Sequence, residues 1–265
     1  DVYASEPCTD SPLFELPQVV VTPHLGASTT EAQDRAGTDV AKSVLLALAG
    51  EFVPDAVNVS GGAVGEEVAP WLDIVRKQGV LLGALSDELP TSLSVDVRGE
   101  LASEDVDILK LSALRGLFSA VIEDAVTFVN APSLAEERGV TADVTKASES
   151  PNHRSVVDVR AVYGDGTVVN VAGTLTGPQH VEKIVNINGR NFDLRAEGKN
   201  LIVTYDDRPG SLGRIGTALG DAGVDIAAAA LSQDAEGTGA TVLLRVDRDV
   251  PAEVRDSIAA AVGAS

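Results

Sequence analysis

Glu6 and His24 are the two side chains whose types and placement could do acid–base chemistry together. His24 lies in the run Gln18-Val19-Val20-Val21-Thr22-Pro23-His24-Leu25-Gly26-Ala27-Ser28-Thr29, which reads as a buried strand ending at a proline and turning into a helix. Glu6 sits eighteen positions earlier, within Asp1-Val2-Tyr3-Ala4-Ser5-Glu6-Pro7. In an open parallel α/β sheet, ligands bind beyond the carboxyl ends of the strands, where both residues would lie. An imidazole titrates near neutrality and can take a hydroxyl proton. A carboxylate behind it would orient the ring and favour its charged form, as the acidic partner does in other triads. Hydride transfer from an alcohol needs such a pair, because the proton leaves to the histidine while a nicotinamide accepts the hydride. The plainer alternative fits the same residues: a strand-end histidine that caps the next helix, with Glu6 on a loop.

The bulk composition narrows the classes that could house this pair. A chain of 265 residues, 44% of them hydrophobic, can build more than one core. Its net charge of −20 argues against a nucleic-acid partner, since phosphate binding needs a positive field. No apolar run approaches the roughly 18 residues needed to cross a bilayer, so no membrane role is expected. Cys8 is alone, which excludes a disulfide framework and a cysteine metal cluster and points to a reducing, cytoplasmic setting. No metal site is expected, and His153 and His180 read as surface residues. The chain has no methionine and opens on Asp1-Val2, so it reads as the C-terminal part of something longer.

Periodicity divides the chain into three stretches. In the first, 1–59, residues 1–27 read as the last two strand ends of a nucleotide-binding sheet, with Val19 to Val21 buried on both faces. A helix is predicted over about 30–49, capped by Ser28 or Thr29, with Glu31 in its first turn and Gly50 as its stop. Its apolar positions are Ala36, Val40, Val44, Leu45 and Leu48. An extended segment over 52–59 and a linker at Ser60-Gly61-Gly62 follow. The second stretch, 60–197, reads as α+β. It has a helix over 68–84, a half-solvated strand over 92–99, helices over 108–118 and 121–130, and a short helix capped by Gly139. Four strands then lie over 155–163, 167–175, 181–187 and 192–196, with hairpin turns at Gly164-Asp165-Gly166 and Asn188-Gly189. The third stretch, 198–265, runs β-α-β-β-α, one strand short of a ferredoxin-like βαββαβ. The fold class is therefore α/β and α+β multidomain.

Two motifs carry a resemblance. Asp-Val-Tyr-x-x-Glu-Pro at 1–7 and Val-Thr-Pro-His-Leu-Gly-Ala-Ser-Thr at 21–29 resemble the end of the catalytic core of the D-isomer-specific 2-hydroxyacid dehydrogenases. That resemblance implies a Rossmann-type core, NAD as cofactor, and Glu6 and His24 as catalytic partners. It places Asp1 and His24, Leu25, Gly26 and Ala27 at the nicotinamide. The family's carboxylate-gripping arginine and glycine-rich phosphate loop would precede Asp1. Asp-x-Pro-Gly-x-Leu-Gly at 207–213, after a strand, resembles the ACT domain, a regulatory module that often binds amino acids between its first strand, this loop and a partner module. The resemblance puts Tyr205, Asp207 and Asp225 in that groove, with Asp225 standing where serine-responsive relatives commonly carry asparagine.

Together these parts resemble the long-form branch of the family, with an intervening domain and an ACT domain. The branch implies oxidation of 3-phospho-D-glycerate to 3-phosphooxypyruvate, the entry to serine biosynthesis, with L-serine as feedback effector and a homotetramer as the assembly. Lys183, Arg190 and Arg195, with Arg245 as a weaker fourth, match the branch's basic positions for a phosphate or other anion. Asn191 departs from the histidine often found beside them. Read bare, the first three are solvated charges around a hairpin. Two other classes compete: a non-catalytic amino-acid-sensing or assembly module, and a related D-2-hydroxyacid dehydrogenase. An iron–sulfur serine dehydratase is excluded, because one cysteine cannot ligate the cluster.

Overall fold

The structure is a computed structural model and describes residues 1–56, 64–86, 88–234, 237 and 239–264. It divides into two compact units, Asp1–Ala56 and Val57–Ser265.

In the first unit one helix, α1 (Thr30–Leu48), follows two single-turn 3-10 segments, Pro12–Glu15 and Gly26–Ser28. Thr29, rather than Ser28, caps α1: its hydroxyl accepts from the Ala32 N–H at 3.1 Å. The chain leaves α1 through Gly50 at φ 72°, as a glycine stop requires. The expected strand over Val19 to Val21 does not form, and Val20 is 92% exposed. A β-branched run extends only against a neighbour that pairs its N–H and C=O groups, and no described residue of this unit offers one. For the same reason Val40, Val44, Leu45 and Leu48 form a stripe on α1 that faces solvent. Over 52–56 the chain is irregular with a turn rather than extended; Val57 to Val59 and the Ser60-Gly61-Gly62 linker lie outside the described residues.

In the second unit, alternation of apolar and polar residues produces two sheets. The larger contains β1 (Ser92–Gly99), β2 (Thr141–Ala147), β3 (Ser155–Val162), β4 (Val168–Thr176), β5 (Val181–Ile187) and β6 (Arg190–Arg195) in the order β2-β1-β3-β4-β5-β6. Only the β1–β2 pair is parallel. Helices α2 (Trp71–Ala84) and α3 (Ile108–Val121) cover one face with Trp71, Ile74, Val75, Leu82, Leu109, Leu117 and Phe118. Gln78, fully buried on α2, donates to Val157 O at 2.7 Å and Val171 O at 2.8 Å, tying the helix to β3 and β4. The helix expected over 121–130 is absent. There Thr127 N–H donates to Asn130 Oδ1 at 2.7 Å, and Asn130 N–H to Thr127 Oγ1 at 3.2 Å, so side chains take the backbone groups a helix would use. The helix that exists, α4 (Ala131–Glu137), starts just after.

Helices α2 and α3 touch through a glycine from each. A Cβ on Gly79 would lie 2.2 Å from Ala113 O, and one on Gly116 would lie 1.9 Å from Arg76 O. Gly116→Ala is therefore expected to lose about 1–3 kcal/mol by overpacking, even though alanine is the better helix former. Gly37→Ala, on exposed α1 with nothing within 4 Å of the added carbon, should be neutral or stabilising. Urea unfolding of both variants in parallel checks the contrast; equal stabilities would mean that the helices can part at no cost.

On the outer face of this sheet Asp96 and Asp158 stand directly opposite each other on β1 and β3. Burial first, and the Asp96 charge among the further causes, raise the Asp158 carboxyl above its usual range, against the hydrogen bond from Asn170. A raised folded value means the native state holds its proton more tightly than the unfolded chain. Stability is then full below the unfolded value, falls as pH rises toward the folded value, and stays lowered above it. Asp158→Asn should raise the neutral-pH melting temperature by about 1–3 °C, the scale of one opposed like-charge pair. Thermal melts at pH 7 and near pH 4 check it, because the gain must vanish at the lower pH.

The smaller sheet has the order β7-β9-β8, from β7 (Lys199–Asp206), β8 (Ile226–Gln233) and β9 (Gly239–Val246). Helices α5 (Ser211–Asp221) and α6 (Ala252–Val262) complete a β-α-β-β-α frame around Val203, Ile215, Leu219, Val242, Leu244 and Ile258. Ala264 bridges antiparallel to Tyr205 on the free edge of β7, where the fourth strand of a ferredoxin-like fold runs. The mixed α/β and α+β class holds. No helix among the described residues is long and apolar enough to cross a membrane.

Candidate functional site

Proline and glycine around His24 fix where its ring points. His24 itself is left-handed, at φ 55°, between Pro23 and the 3-10 turn that starts at Gly26. This turns its Nδ1 to Glu6 Oε2 at 2.5 Å. The other oxygen, Oε1, accepts from the Tyr3 N–H at 2.9 Å. The His24 contact first, and the Tyr3 N–H second, hold the Glu6 carboxyl below the usual range, so it is ionised at neutral pH. An ionised partner makes Nδ1 the donor and leaves Nε2 with a lone pair for a substrate proton. A 420 Å³ cavity lined in part by Tyr3, Glu6, Phe14 and His24 lies in front of the pair, and 58% of the His24 side chain is exposed. Asp1, Leu25 and Gly26 meet beside it: the Asp1 carboxylate accepts from Leu25 N–H at 2.5 Å and Gly26 N–H at 3.0 Å. Ala27 lies in the following turn.

In the smaller sheet a 390 Å³ cavity lies against the Pro209-Gly210 loop and includes Tyr205, Asp207, Arg208 and Gln233. Gly210 is left-handed at φ 89°, which lets the chain turn sharply into α5. Gln233 Nε2 donates to Asp207 Oδ2. Burial first, and the nearby Asp207 charge second, raise the Tyr205 hydroxyl above its usual range. Asp225 does not join these two within the chain. Its N–H donates to Asp247 Oδ1 at 2.9 Å just before β8, whereas Gln233 ends that strand, about 25 Å away at ~3.3 Å per residue. Gln233 was not foreseen, because only the strand register, with Tyr205 and Gln233 both opposite Ala240, brings it to the loop.

The basic residues split in the same way. Lys183 and Arg195 are cross-strand neighbours, with Lys183 paired to Asp193 at 2.7 Å. Arg190 pairs across from Ile187 at the turn, five residues from Arg195 or about 16 Å, so the three do not form one cluster. Arg190 Nε is buried with no hydrogen-bond partner among the described residues. Arg245 is paired to Glu197. Arg195 lines a 380 Å³ cavity with Glu197, Asn200 and two α2 residues, Arg76 and Lys77, which the sequence reading missed. Asn191 Oδ1 accepts from Asn186 Nδ2 at 2.9 Å and so closes the hairpin. His153 and His180 share the rim of a third cleft, with Glu100, Glu104 and Arg154. Among the described residues no group of three or more histidine, cysteine or acidic side chains could hold a metal ion.

Comparison with known proteins follows the same division. Residues 67–188 match the model of the D-3-phosphoglycerate dehydrogenase intervening domain, and residues 199–263 match that of the ACT domain. The whole chain is 77% identical to the D-3-phosphoglycerate dehydrogenase of Mycobacterium leprae (strain TN), covering 50% of that protein. It is 78% identical over 264 residues to that of Mycobacterium tuberculosis (strain ATCC 25618 / H37Rv), again covering 50%. Identity to the Methanocaldococcus jannaschii protein of the same name is 31%, over 97% of this chain and 49% of that protein. The chain thus spans about half the length of the curated relatives it matches. Strands β1 to β5 of the larger sheet thus lie within the residues matched to the D-3-phosphoglycerate dehydrogenase intervening domain, and the smaller sheet lies within those matched to the ACT domain.

Proposed function

We propose that this chain supplies the acid–base pair and the regulatory part of an NAD-dependent D-3-phosphoglycerate dehydrogenase. Its organisation would be the end of a catalytic core at 1–59, an intervening domain at 60–197 and an ACT domain at 198–265. The observation that carries this reading is the 2.5 Å contact between His24 Nδ1 and an ionised Glu6 at the edge of a cavity. His24 Nε2 takes the hydroxyl proton of 3-phospho-D-glycerate, and Glu6 stabilises the resulting imidazolium. NAD, when bound, accepts the hydride; Asp1, His24, Leu25, Gly26 and Ala27 form this chain's edge of its site.

Regulation by L-serine would act at Tyr205 and Asp207. Asp225, at the far end of β8, would reach such a groove only from a second copy, in keeping with a homotetramer. Lys183 and Arg195 would receive a phosphate or other anion, with Arg245 released from Glu197. A cytoplasmic location follows from this role. The test is NAD reduction by the full-length protein with 3-phospho-D-glycerate, with and without L-serine. Phosphoglycerate-dependent reduction that serine suppresses is expected. No reduction would overturn the enzyme reading, and reduction indifferent to serine would overturn the regulatory one.

A further inference from the structure

We infer that Gln233 sets the ligand selectivity of the 390 Å³ cavity beside Gly210. As a neutral donor it holds the Asp207 carboxylate in place without cancelling its charge, so the cavity takes molecules that carry an ammonium in preference to their hydroxy-acid counterparts. The inference rests on the regulatory reading above and deepens it. Its basis is the strand register. Tyr205 on β7 and Gln233 at the end of β8 both stand opposite Ala240 on the central strand β9. Residues directly opposite each other on antiparallel strands share a face, so all three lie on the face where Tyr205 is buried. The two outer strands are two strand spacings apart, about 10 Å. Ala240, fully buried, puts only a methyl group between them. The glutamine side chain therefore passes over β9, and its Nε2 donates to Asp207 Oδ2, two residues beyond Tyr205.

The charge balance around Asp207 gives this contact its consequence. Arg208, the adjoining cation, turns its Nη2 to Asp206 Oδ2 at 3.1 Å. Arg214, in the first turn of α5, donates to the Ser211 hydroxyl at 3.1 Å. No cation pairs with Asp207 among the described residues. The side chain that does reach it is an amide, which donates an N–H and brings no charge. A carboxylate can accept about four hydrogen bonds, so Asp207 keeps both its charge and room for an ammonium. Selectivity is a difference of two affinities. An ammonium meets Asp207 as an ion pair, whereas a hydroxyl in the same place gains a hydrogen bond and no opposite charge. A lysine at 233 would spend Asp207 on the protein's own ammonium and erase that difference.

The test uses the full-length protein with Gln233→Met and Gln233→Lys. L-Serine is titrated calorimetrically, and L-glycerate, which carries a hydroxyl where serine carries its ammonium, is the competitor. Gln233→Met, of similar length but without the donor, is expected to weaken serine binding about three- to tenfold, the scale of one intramolecular hydrogen bond. Gln233→Lys is expected to shrink the preference for serine over glycerate about tenfold, the scale of one charge-assisted contact. A merely structural role for Gln233 would weaken both ligands alike and leave that ratio unmoved. A wild-type ratio in Gln233→Lys, or undiminished serine affinity in Gln233→Met, would overturn the role of Gln233 while the regulatory site stands. A wild-type protein that binds no serine would overturn the regulatory reading itself, and this inference with it.

Discussion

His24→Ala in the full-length protein is expected to lower kcat by about 10²- to 10⁴-fold while NAD affinity stays within about twofold. The range is that of removing a positioned general base. It applies because the ring is already oriented for proton transfer, with Nδ1 committed to Glu6 and Nε2 left toward the cavity. Cofactor affinity should survive, since this chain's edge of the proposed nicotinamide site consists largely of main chain around Leu25 to Ala27, which an alanine at 24 leaves in place. Glu6→Gln gives a graded result. The amide keeps a hydrogen bond to the ring but loses the charge, so turnover should fall less than for His24→Ala. Steady-state kinetics and NAD titration by fluorescence measure both. Turnover unchanged in His24→Ala would remove the acid–base assignment, and a parallel loss of NAD binding would mean that the turn had collapsed rather than lost its base.

How much of this was legible in the sequence depends on whether one local pattern decided the outcome. The helix at Thr30–Leu48 was, because a threonine cap, an acidic first turn and a glycine stop all act within the segment itself. Strand β1 emerged with the bounds expected from its alternation, and the Asn188-Gly189 turn from its need for positive φ, 50° and 80°. Val19 to Val21 misled, because a β-branched run reports a preference for burial without saying what will bury it. The segment 121–130 misled because Thr127 and Asn130 use their side chains against the helix that the apolar spacing favoured. Strand β2 went unnoticed: it is a largely exposed, polar edge whose only partner, β1, lies some fifty residues earlier. Sites followed the same rule. Glu6 and His24 were paired as candidates by residue type and strand-end placement, a family resemblance implied the same pair, and the fold brings them together. The basic residues were grouped by closeness in sequence, and strand pairing then separated Arg190 from Lys183 and Arg195. Register is a long-range property, and a one-dimensional reading does not contain it.

Asp207→Ala should weaken L-serine binding by about 10- to 100-fold and leave uninhibited turnover unchanged. That range corresponds to losing one charge-assisted hydrogen bond, about 1.5–3 kcal/mol. The sharp turn at Gly210 brings Asp207, Tyr205 and Gln233 around one small cavity. An amino acid brings an ammonium that Asp207 attracts and a carboxylate that needs donors. Exposed main-chain N–H groups at the start of α5 can provide those donors. Gln233 holds Asp207 in place, so Asp207→Asn, which can keep that bond while losing the charge, isolates the electrostatic part. If charge is what recognises the ammonium, the asparagine variant should lose most of what the alanine variant loses. Tyr205 supplies an internal check. Because Asp207 is the second cause of its raised hydroxyl value, removing the carboxylate should move its ultraviolet titration toward the usual range, whether or not serine binds. A shifted titration with undiminished serine affinity would show that the geometry is right and the ligand site is elsewhere. Weakened serine binding with an unmoved titration would separate Asp207 from Tyr205 and assign recognition to the loop alone.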